Sequence, residues 1–319
     1  MTFNSTFVVR HDSRAPSYDL LIVALGYETR SSYIASELHE RATAKLALDL
    51  DGDRIFSYNT NRSLLKTLGF TIVAPSSDLA SVVTSSLSDL AATRSCIGID
   101  VSSFTRLQLA QIIEGVLSTT STSHTRVDFL YAPASSAGWE NQEGPIMVAR
   151  PVHPAFTSWA DDPSLPLTAV IGVGVETNFA LGVTEFLDAS SVLAFVPYGG
   201  DAEFDEMNAA ANHEFFLSSD VVRRAEYDLL KPYDLYVKLE SLMYSLVQEQ
   251  RLAVVPLGPK MFALCSLLAT ASLDAAATVW RFSPADAGVP VDRVASGAIA
   301  NLTIDVRVPE WTEAGGHRC

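Results

Sequence analysis

The segment LLIVALGYETRSSYIASEL, from Leu20 to Leu38, is the stretch that best indicates the fold. Its first six residues are apolar on both faces, as in a strand buried within a parallel sheet. A Gly-x-Glu-Thr turn follows, and the apolar residues after it have helical spacing. A similar segment, AVIGVGVETNFALGVTEFL, runs from Ala169 to Leu187. The two turns match at one constant separation, which pairs Gly26 with Gly174, Glu28 with Glu176 and Thr29 with Thr177.

The elements after these two segments also come in the same order. The corresponding stretches are KLALDLDG (45–52) and VLAFVPYGG (192–200), CIGIDVSSFTRLQLAQIIEGVL (96–117) and LAVVPLGPKMFALCSLLATA (252–271), and RVDFLYAP (126–133) and ATVWRFSP (277–284). Strands that alternate with helices form right-handed crossovers in a doubly wound sheet. The repeat therefore predicts an α/β protein with an internal duplication. We expect two Rossmann-like halves with mostly parallel sheets, at 1–135 and 166–319, joined by a linker at 136–165.

The tail of the second half contains one more apolar stretch, AIANLTIDVRV (298–308). Its composition predicts a strand. This strand either extends the second sheet or pairs across the two halves.

Composition excludes several classes of protein. The chain has 319 residues, of which 48% are hydrophobic, and a net charge of −15. This composition is globular, and no apolar stretch approaches the length of a membrane span. The N-terminus lacks the basic start and apolar core of a signal peptide, so we expect a cytoplasmic protein. The negative charge argues against binding of duplex DNA or anionic membranes, although it allows a local basic pocket for a small anion.

Ligands of open parallel sheets bind beyond the carboxyl ends of the strands, so the turns there are the candidate site. The turn GYETR supplies Gly26, Tyr27, Glu28, Thr29 and Arg30. Its glycine allows a sharp turn and a close approach of a ligand to the backbone. The same residues also fit a purely structural role, with Thr29 as helix cap and Glu28 beside the positive end of the helix. Its repeat in the second half contributes Gly174, Glu176 and Thr177.

The turn LGPK (257–260) carries the clearest signal for a ligand. Gly258 and Pro259 turn the chain, and Lys260 begins a predicted helix. A lysine opposes the dipole at a helix N-terminus, whereas an anion bound there would offset that cost. A lysine on a solvated first turn is the structural alternative. The equivalent turn of the first half, DVSSFTR, contains Asp100, Ser102, Ser103, Thr105 and Arg106, and here a helix cap by Ser103 or Thr105 is an equally good interpretation.

Several chemistries find no support. The histidines are scattered without zinc-ligand spacing, so no metal site is expected. The sequence has no G-x-S-x-G nucleophile elbow. VGVETN contains part of the dinucleotide fingerprint, but Thr177 stands where the third glycine belongs, which argues against NAD. The sequence assigns no cofactor.

The stretch VVPLGPKMFALCSLLATA resembles the CRISPR-associated Rossmann fold (CARF) family, with Lys260 at the family's basic position. IGIDVSSFTRLQLAQII is similar to the same pattern, with Asp100, Ser102 and Ser103 in a hydroxyl-rich turn. CARF domains and the fused-tandem SAVED type bind cyclic oligonucleotides between two Rossmann halves. The resemblance therefore implies a ligand of that class and a role in antiviral defence. The chain departs from the family in having LGPK in place of a double-glycine–threonine–lysine turn, and we expect no effector domain in it.

Two functional hypotheses follow, with a scaffold role as a third. In the first, a nucleotide-like phosphate ligand binds in the cleft between the halves, and the protein signals to a partner protein. Arg30, Arg106 and Lys260 would neutralise the phosphate, and Tyr27 or Tyr198 would stack on a base. In the alternative, the protein is an enzyme that acts on a nucleotide or sugar-phosphate. Glu28 or Glu176 would then be its base or nucleophile, while Lys260 stabilises charge.

Overall fold

The structure is a computed structural model that describes residues 3, 5–11, 13–50, 52, 54–76, 78–90, 94–119, 124–136, 145–158, 162–217, 222–273, 276–283 and 290–307. The strands are β1 (Thr6–Arg10), β2 (Tyr18–Leu25), β3 (Ala42–Asp49), β4 (Thr71–Val73), β5 (Arg94–Asp100), β6 (His124–Tyr131), β7 (Val148–Pro151), β8 (Leu167–Gly172), β9 (Ser191–Tyr198), β10 (Val222–Asp228), β11 (Arg251–Pro256), β12 (Thr278–Ser283) and β13 (Ala300–Arg307).

Helices alternate with most of these strands. They are α1 (Tyr33–Leu38), α2 (Tyr58–Thr67), α3 (Leu79–Ser88), α4 (Arg106–Leu117), α5 (Phe179–Leu187), α6 (Ala202–Ala211), α7 (His213–Leu217), α8 (Pro232–Leu246) and α9 (Lys260–Ser272). Short 3₁₀ turns lie at Thr29–Ser32, His39–Arg41 and Pro154–Phe156. In the described part of the chain, no helix is both long enough and apolar enough to cross a membrane.

The strands form two mixed, mostly parallel sheets. The first has the order β1-β13-β6-β5-β2-β3-β4, and the second has the order β10-β9-β8-β11-β12-β7. Each contains five parallel strands in the same relative order, in which the first parallel strand lies between the second and the fourth. The prediction of two Rossmann-like halves in an α/β fold is confirmed.

The two sheets exchange one strand each. β7 follows the last parallel strand of the first half along the chain, yet it pairs antiparallel with β12 of the second sheet. β13 follows the last parallel strand of the second half, yet it pairs antiparallel with β6 of the first sheet. The tail strand therefore pairs across the halves, which is one of the two arrangements expected from sequence. The segment predicted as a linker supplies β7, so part of it is an edge strand of the second sheet.

One large apolar core includes residues of both halves, and α4 and α9 pack together within it. Every residue of α9 from Met261 to Ala271 is buried, including Cys265. A Cβ at Gly172 would overlap the ring of Phe262, so a glycine is required for α9 to pack against the end of β8. This contact fixes the start of α9 beside the carboxyl ends of the strands, where the candidate site lies.

Candidate functional site

A cavity of about 150 Å³ lies where the carboxyl ends of the two sheets meet. Residues of both halves line it, namely Arg30, Arg106, Tyr131, Pro133, Ala134, Gly174, Val175, Glu176, Gly200, Phe204, Leu229, Leu257, Gly258, Pro259, Lys260 and Arg293. Seven of these are candidates from the sequence: Arg30, Arg106, Gly174, Glu176, Gly258, Pro259 and Lys260. The cavity occupies the position at which doubly wound sheets bind their ligands.

The side chains of the first residues of α4 and α9 each reach from their own half to the other half. Arg106 begins α4 and donates from Nη2 to the carbonyl oxygens of Leu257 at 2.5 Å and Gly258 at 3.2 Å. Lys260 begins α9 and donates from Nζ to the carbonyl oxygen of Ser102 at 3.2 Å. Each cation therefore contacts the turn of the opposite half, as in the self-complementary interface of a symmetric dimer.

Lys260 lies among other cations. Burial, as the main cause, and the positive charges of Arg30, Arg106 and Arg293 together lower its pKa to about 7, against the opposing charge of Glu28. The Nε of Arg106 is buried and has no hydrogen-bond partner among the described residues. Burying the charges of Lys260 and Arg106 therefore costs free energy, and their hydrogen bonds to backbone carbonyls do not remove that cost.

Glu28 holds the other two arginines in place. The Nε of Arg30 donates to Glu28 Oε2 at 2.6 Å, and Arg30 is only 4% exposed. Arg293 Nη1 lies 3.6 Å from Glu28 Oε1. Arg30 also donates from Nη1 to the carbonyl oxygen of Ala132 at 3.3 Å, at the end of β6. A partly buried carboxylate that neutralises two cations is a structural counter-ion in this arrangement.

Two polar residues of the first half lie beneath the cavity wall. Asp100 is buried at the end of β5, where its Oδ1 accepts from the backbone N–H of Ser102 at 2.9 Å. Its Oδ2 and the Oγ of Ser103 have no hydrogen-bond partner in the part of the chain that the structure describes. Burial raises the pKa of Asp100 to about 6, although Ser102, Arg30 and Lys260 act in the opposite direction. This carboxyl group therefore titrates close to neutral pH.

The turns after β2 and β8 are each held by a buried asparagine. Asn61 of α2 donates from Nδ2 to the carbonyl oxygen of Gly26, and Asn208 of α6 donates to that of Gly174, both at 3.0 Å. Asn212 donates to Gly174 as well, at 2.8 Å. Neither Asn61 nor Asn208 is among the candidates predicted from the sequence. Their separation is nearly that of the two glycines, which is the signal that would have paired them.

The glycines of the second half bring two turns of the protein together. A Cβ at Gly258 would overlap the carbonyl oxygen of Val173, and one at Gly174 would overlap a carboxylate oxygen of Glu176. The same Cβ at Gly174 would lie 3.1 Å from the carbonyl oxygen of Leu257. These glycines thus permit close contact within the protein, and their predicted contact with a ligand stays a prediction.

The remaining candidates lie around the cavity without lining it. Thr29 is not the helix cap that the sequence suggested, because it lies inside the 3₁₀ turn that begins there. Its backbone N–H and hydroxyl instead donate to Asp292, at 2.6 and 2.9 Å. The ring of Tyr27 packs against Phe56, with centroids 6.0 Å apart. Thr105 forms a capping box with Gln108, which confirms the structural interpretation of that turn. The candidates outside the lining are Gly26, Tyr27, Glu28, Thr29, Asp100, Ser102, Ser103 and Thr177.

The sequence analysis also missed Arg293. It lies in a segment, 290–297, that crosses the carboxyl end of the first sheet before β13. The carbonyl oxygen of Arg293 accepts from the N–H of Arg30 at 2.9 Å, and Val294 and Ser296 bond to the chain after β6. No local motif marks this arginine, since only the exchange of β13 brings it to the site.

The comparisons with family models and with curated proteins find no match. Among the described residues, no three His, Cys, Asp or Glu side chains form a group that could hold a metal ion.

Proposed function

We propose that this protein binds a nucleotide-like phosphate ligand in the cavity between its halves and signals to a partner protein. The observation that supports this most strongly is the charge of the cavity wall. Four cations converge there, Arg30, Arg106, Lys260 and Arg293, and the carboxylates beside them are Glu28, Glu176 and the deeper Asp100. Such an excess is unexpected in a chain whose net charge is −15.

A bound anion explains features that a purely structural role leaves costly. Within the described residues, Lys260 donates one hydrogen bond, to the carbonyl oxygen of Ser102, whereas an ammonium group has three donors. The side chain of Pro259, at the cap position of α9, makes no capping hydrogen bond, so the helix begins without one. A phosphate at this helix start would accept from the cations and interact favourably with the helix dipole.

The resemblance to the CARF family suggests the finer form of the proposal. In that form the ligand is a cyclic oligonucleotide and the signalling belongs to antiviral defence. Support for it comes from the two-half architecture, from Lys260 at the first position of α9 and from the cavity between the halves. The reciprocal contacts of Arg106 and Lys260 also suit a ligand that binds both halves at once.

The alternative of an enzyme draws less support from the geometry. Both carboxylate oxygens of Glu28 are already paired with cations, Oε2 with Arg30 and Oε1 with Arg293. Glu176 lines the cavity, but its charge acts on Arg106, where it opposes the effect of burial on the arginine's pKa. Catalysis by these carboxylates would require an ion pair to open first. We therefore favour binding over turnover.

Calorimetry with phosphate, mononucleotides and cyclic oligonucleotides tests the proposal, using the wild type, Lys260→Met and Lys45→Met. Lys45 is the matched control, because its Nζ also donates to a backbone carbonyl, that of Leu68 at 3.0 Å, but outside the cavity. A charged hydrogen bond contributes about 1.5–3 kcal/mol, so Lys260→Met should weaken binding about 10- to 100-fold. Lys45→Met should bind like the wild type. Absence of binding by every anion would overturn the proposal, and conversion of a bound ligand into product would favour the enzyme.

A further inference from the structure

The cavity has two walls of opposite character. The cations form one wall, and the other is apolar, with Phe204 and Leu229 only 6% and 3% exposed. A Cβ at Gly200 would lie 3.1 Å from Phe204 Cδ1 and 3.5 Å from Leu229 Cδ1, so these three residues form one continuous surface. Because Gly200 has no side chain, this surface stays flat at its centre.

Pro133 and Ala134 complete the apolar wall from the first half. The next residues bind the start of α6, since the N–H and Oγ of Ser136 donate to the carboxylate of Asp201 at 3.1 and 2.5 Å. Asp201 also accepts from the N–H of Phe204 at 2.8 Å. These contacts hold the segment after β6 beside Phe204. The apolar wall is thus built from both halves, like the cationic wall.

The charge of the cationic wall corresponds to one phosphate. With Lys260 protonated, the four cations exceed Glu28, Glu176 and Asp100 by one charge when Asp100 is ionised, and by two when Asp100 is protonated. A phosphate monoester carries about −1.5 to −2 at neutral pH. A cyclic oligonucleotide instead distributes single charges around a ring, which would place phosphates against the apolar wall.

The volume also limits the ligand. The cavity of about 150 Å³ is close to the size at which an enclosed apolar cavity takes up one benzene ring, but it is open to solvent, so a sugar between the ring and the phosphate can lie at its mouth. From the two walls and this volume, we infer that the ligand is a small organic anion with one phosphate monoester and one planar ring, no larger than a mononucleotide. The phosphate contacts Arg30, Arg106 and Lys260, and the ring lies against Phe204 and Leu229. This inference rests on the proposed function, and it replaces the cyclic oligonucleotide that the family resemblance suggests with a smaller ligand.

Binding of five probes tests the inference: inorganic phosphate, ribose 5-phosphate, adenosine, AMP and a cyclic diadenylate. AMP should bind at least tenfold more tightly than ribose 5-phosphate, because the ring adds burial of apolar surface. Adenosine should bind at least tenfold more weakly than AMP. The cyclic diadenylate should bind no more tightly than AMP, because only one of its two bases can contact the apolar wall.

Variants of the apolar wall separate the ring from the phosphate. Ala134→Leu fills space beside the apolar wall, where the ring would lie. It should weaken the binding of AMP at least tenfold, while the affinity for ribose 5-phosphate changes less than twofold. Ala210→Leu is the control, because Ala210 is an exposed residue of α6 outside the lining. Phe204→Leu gives the same comparison if Ala134→Leu does not fold.

The outcomes distinguish failure of this inference from failure of the proposed function. If no anion binds, the proposed function itself is wrong. If anions bind but AMP equals ribose 5-phosphate, or the cyclic diadenylate binds more tightly than AMP, only the inference about ligand class is overturned.

Discussion

The turns that begin α4 and α9 occupy equivalent positions, yet they are stabilised differently. Thr105 and Gln108 form a capping box at the start of α4, so that helix end is satisfied by its own side chains. α9 begins at Lys260 after Pro259, whose side chain makes no cap, and burial and neighbouring cations lower the pKa of the lysine to about 7. The duplication thus preserved a positive charge at both positions but a complete cap at only one. A bound anion would therefore stabilise the start of α9 more than the start of α4.

The largest expected effect concerns a cation that the protein already neutralises. Arg30→Met should lower the free energy of unfolding by about 3–5 kcal/mol, because Glu28 then keeps a buried charge without its closest partner. Urea unfolding measures this. Arg224→Met is the control, since Arg224 pairs with Glu226 at 2.8 Å and both side chains are more than half exposed, and a surface pair contributes about 0–1 kcal/mol. Equal losses in the two variants would contradict the role assigned to Glu28.

Replacement of Asn61 and Asn208 by alanine should lower stability by different amounts, because their hydrogen-bond partners differ. Asn61→Ala leaves the carbonyl oxygens of Gly26 and Glu28 without their amide donor, and we expect a loss of about 1–3 kcal/mol. Asn208→Ala should cost less, because Asn212 still donates to the carbonyl oxygen of Gly174. Thermal unfolding of both variants checks the order. A larger loss for Asn208→Ala would show that Asn212 does not compensate.

Lys260→Met should separate stability from binding. We expect unfolding in urea at pH 7 to become no easier, with a gain of up to about 2 kcal/mol, because a hydrophobic residue replaces a buried charge among three other cations. Anion binding should fall in the same variant. A clear loss of stability would instead assign Lys260 a structural role through its bond to Ser102.

The pH dependence of that stability difference has a definite sign. The folded-state pKa of Lys260 is lowered to about 7 from its ordinary value of 10.5, so its charged form is the costly one in the folded protein. The cost is complete below pH 7 and disappears as the pH rises towards 10.5. The stability gain of Lys260→Met should therefore shrink between pH 7 and pH 10. A gain that stays constant over this range would contradict the titration of Lys260.

The smallest expected effect is the pH dependence of anion affinity in the wild type. Sulfate is the suitable probe, because its charge does not change near neutral pH. Between pH 6 and pH 8, Lys260 loses its proton and Asp100, with a pKa of about 6, becomes fully ionised. Both changes weaken binding, so the affinity should fall about tenfold when measured by calorimetry. A flat profile would place sulfate away from both residues.

The sequence predicted those features that depend on neighbouring residues. The strands, the Gly-x-Glu-Thr turns and Lys260 at the start of α9 are local patterns. The duplication also indicates that the elements follow the same order in both halves. Thr29 was misassigned as a cap because the chain enters a 3₁₀ turn at that residue. Arg293 was missed because its position depends on β13, whose partner strand is distant along the chain. Pairing between distant strands leaves no periodic signal in either segment.

The exchange of β7 and β13 has a mechanical consequence. Each half contributes a hydrogen-bonded strand to the sheet of the other, so the halves cannot swing apart about a hinge without breaking both ladders. The pocket between them is therefore preorganised, and a ligand enters by small movements of side chains at its mouth. Binding should approach a lock-and-key process, in which little free energy is spent on closing domains.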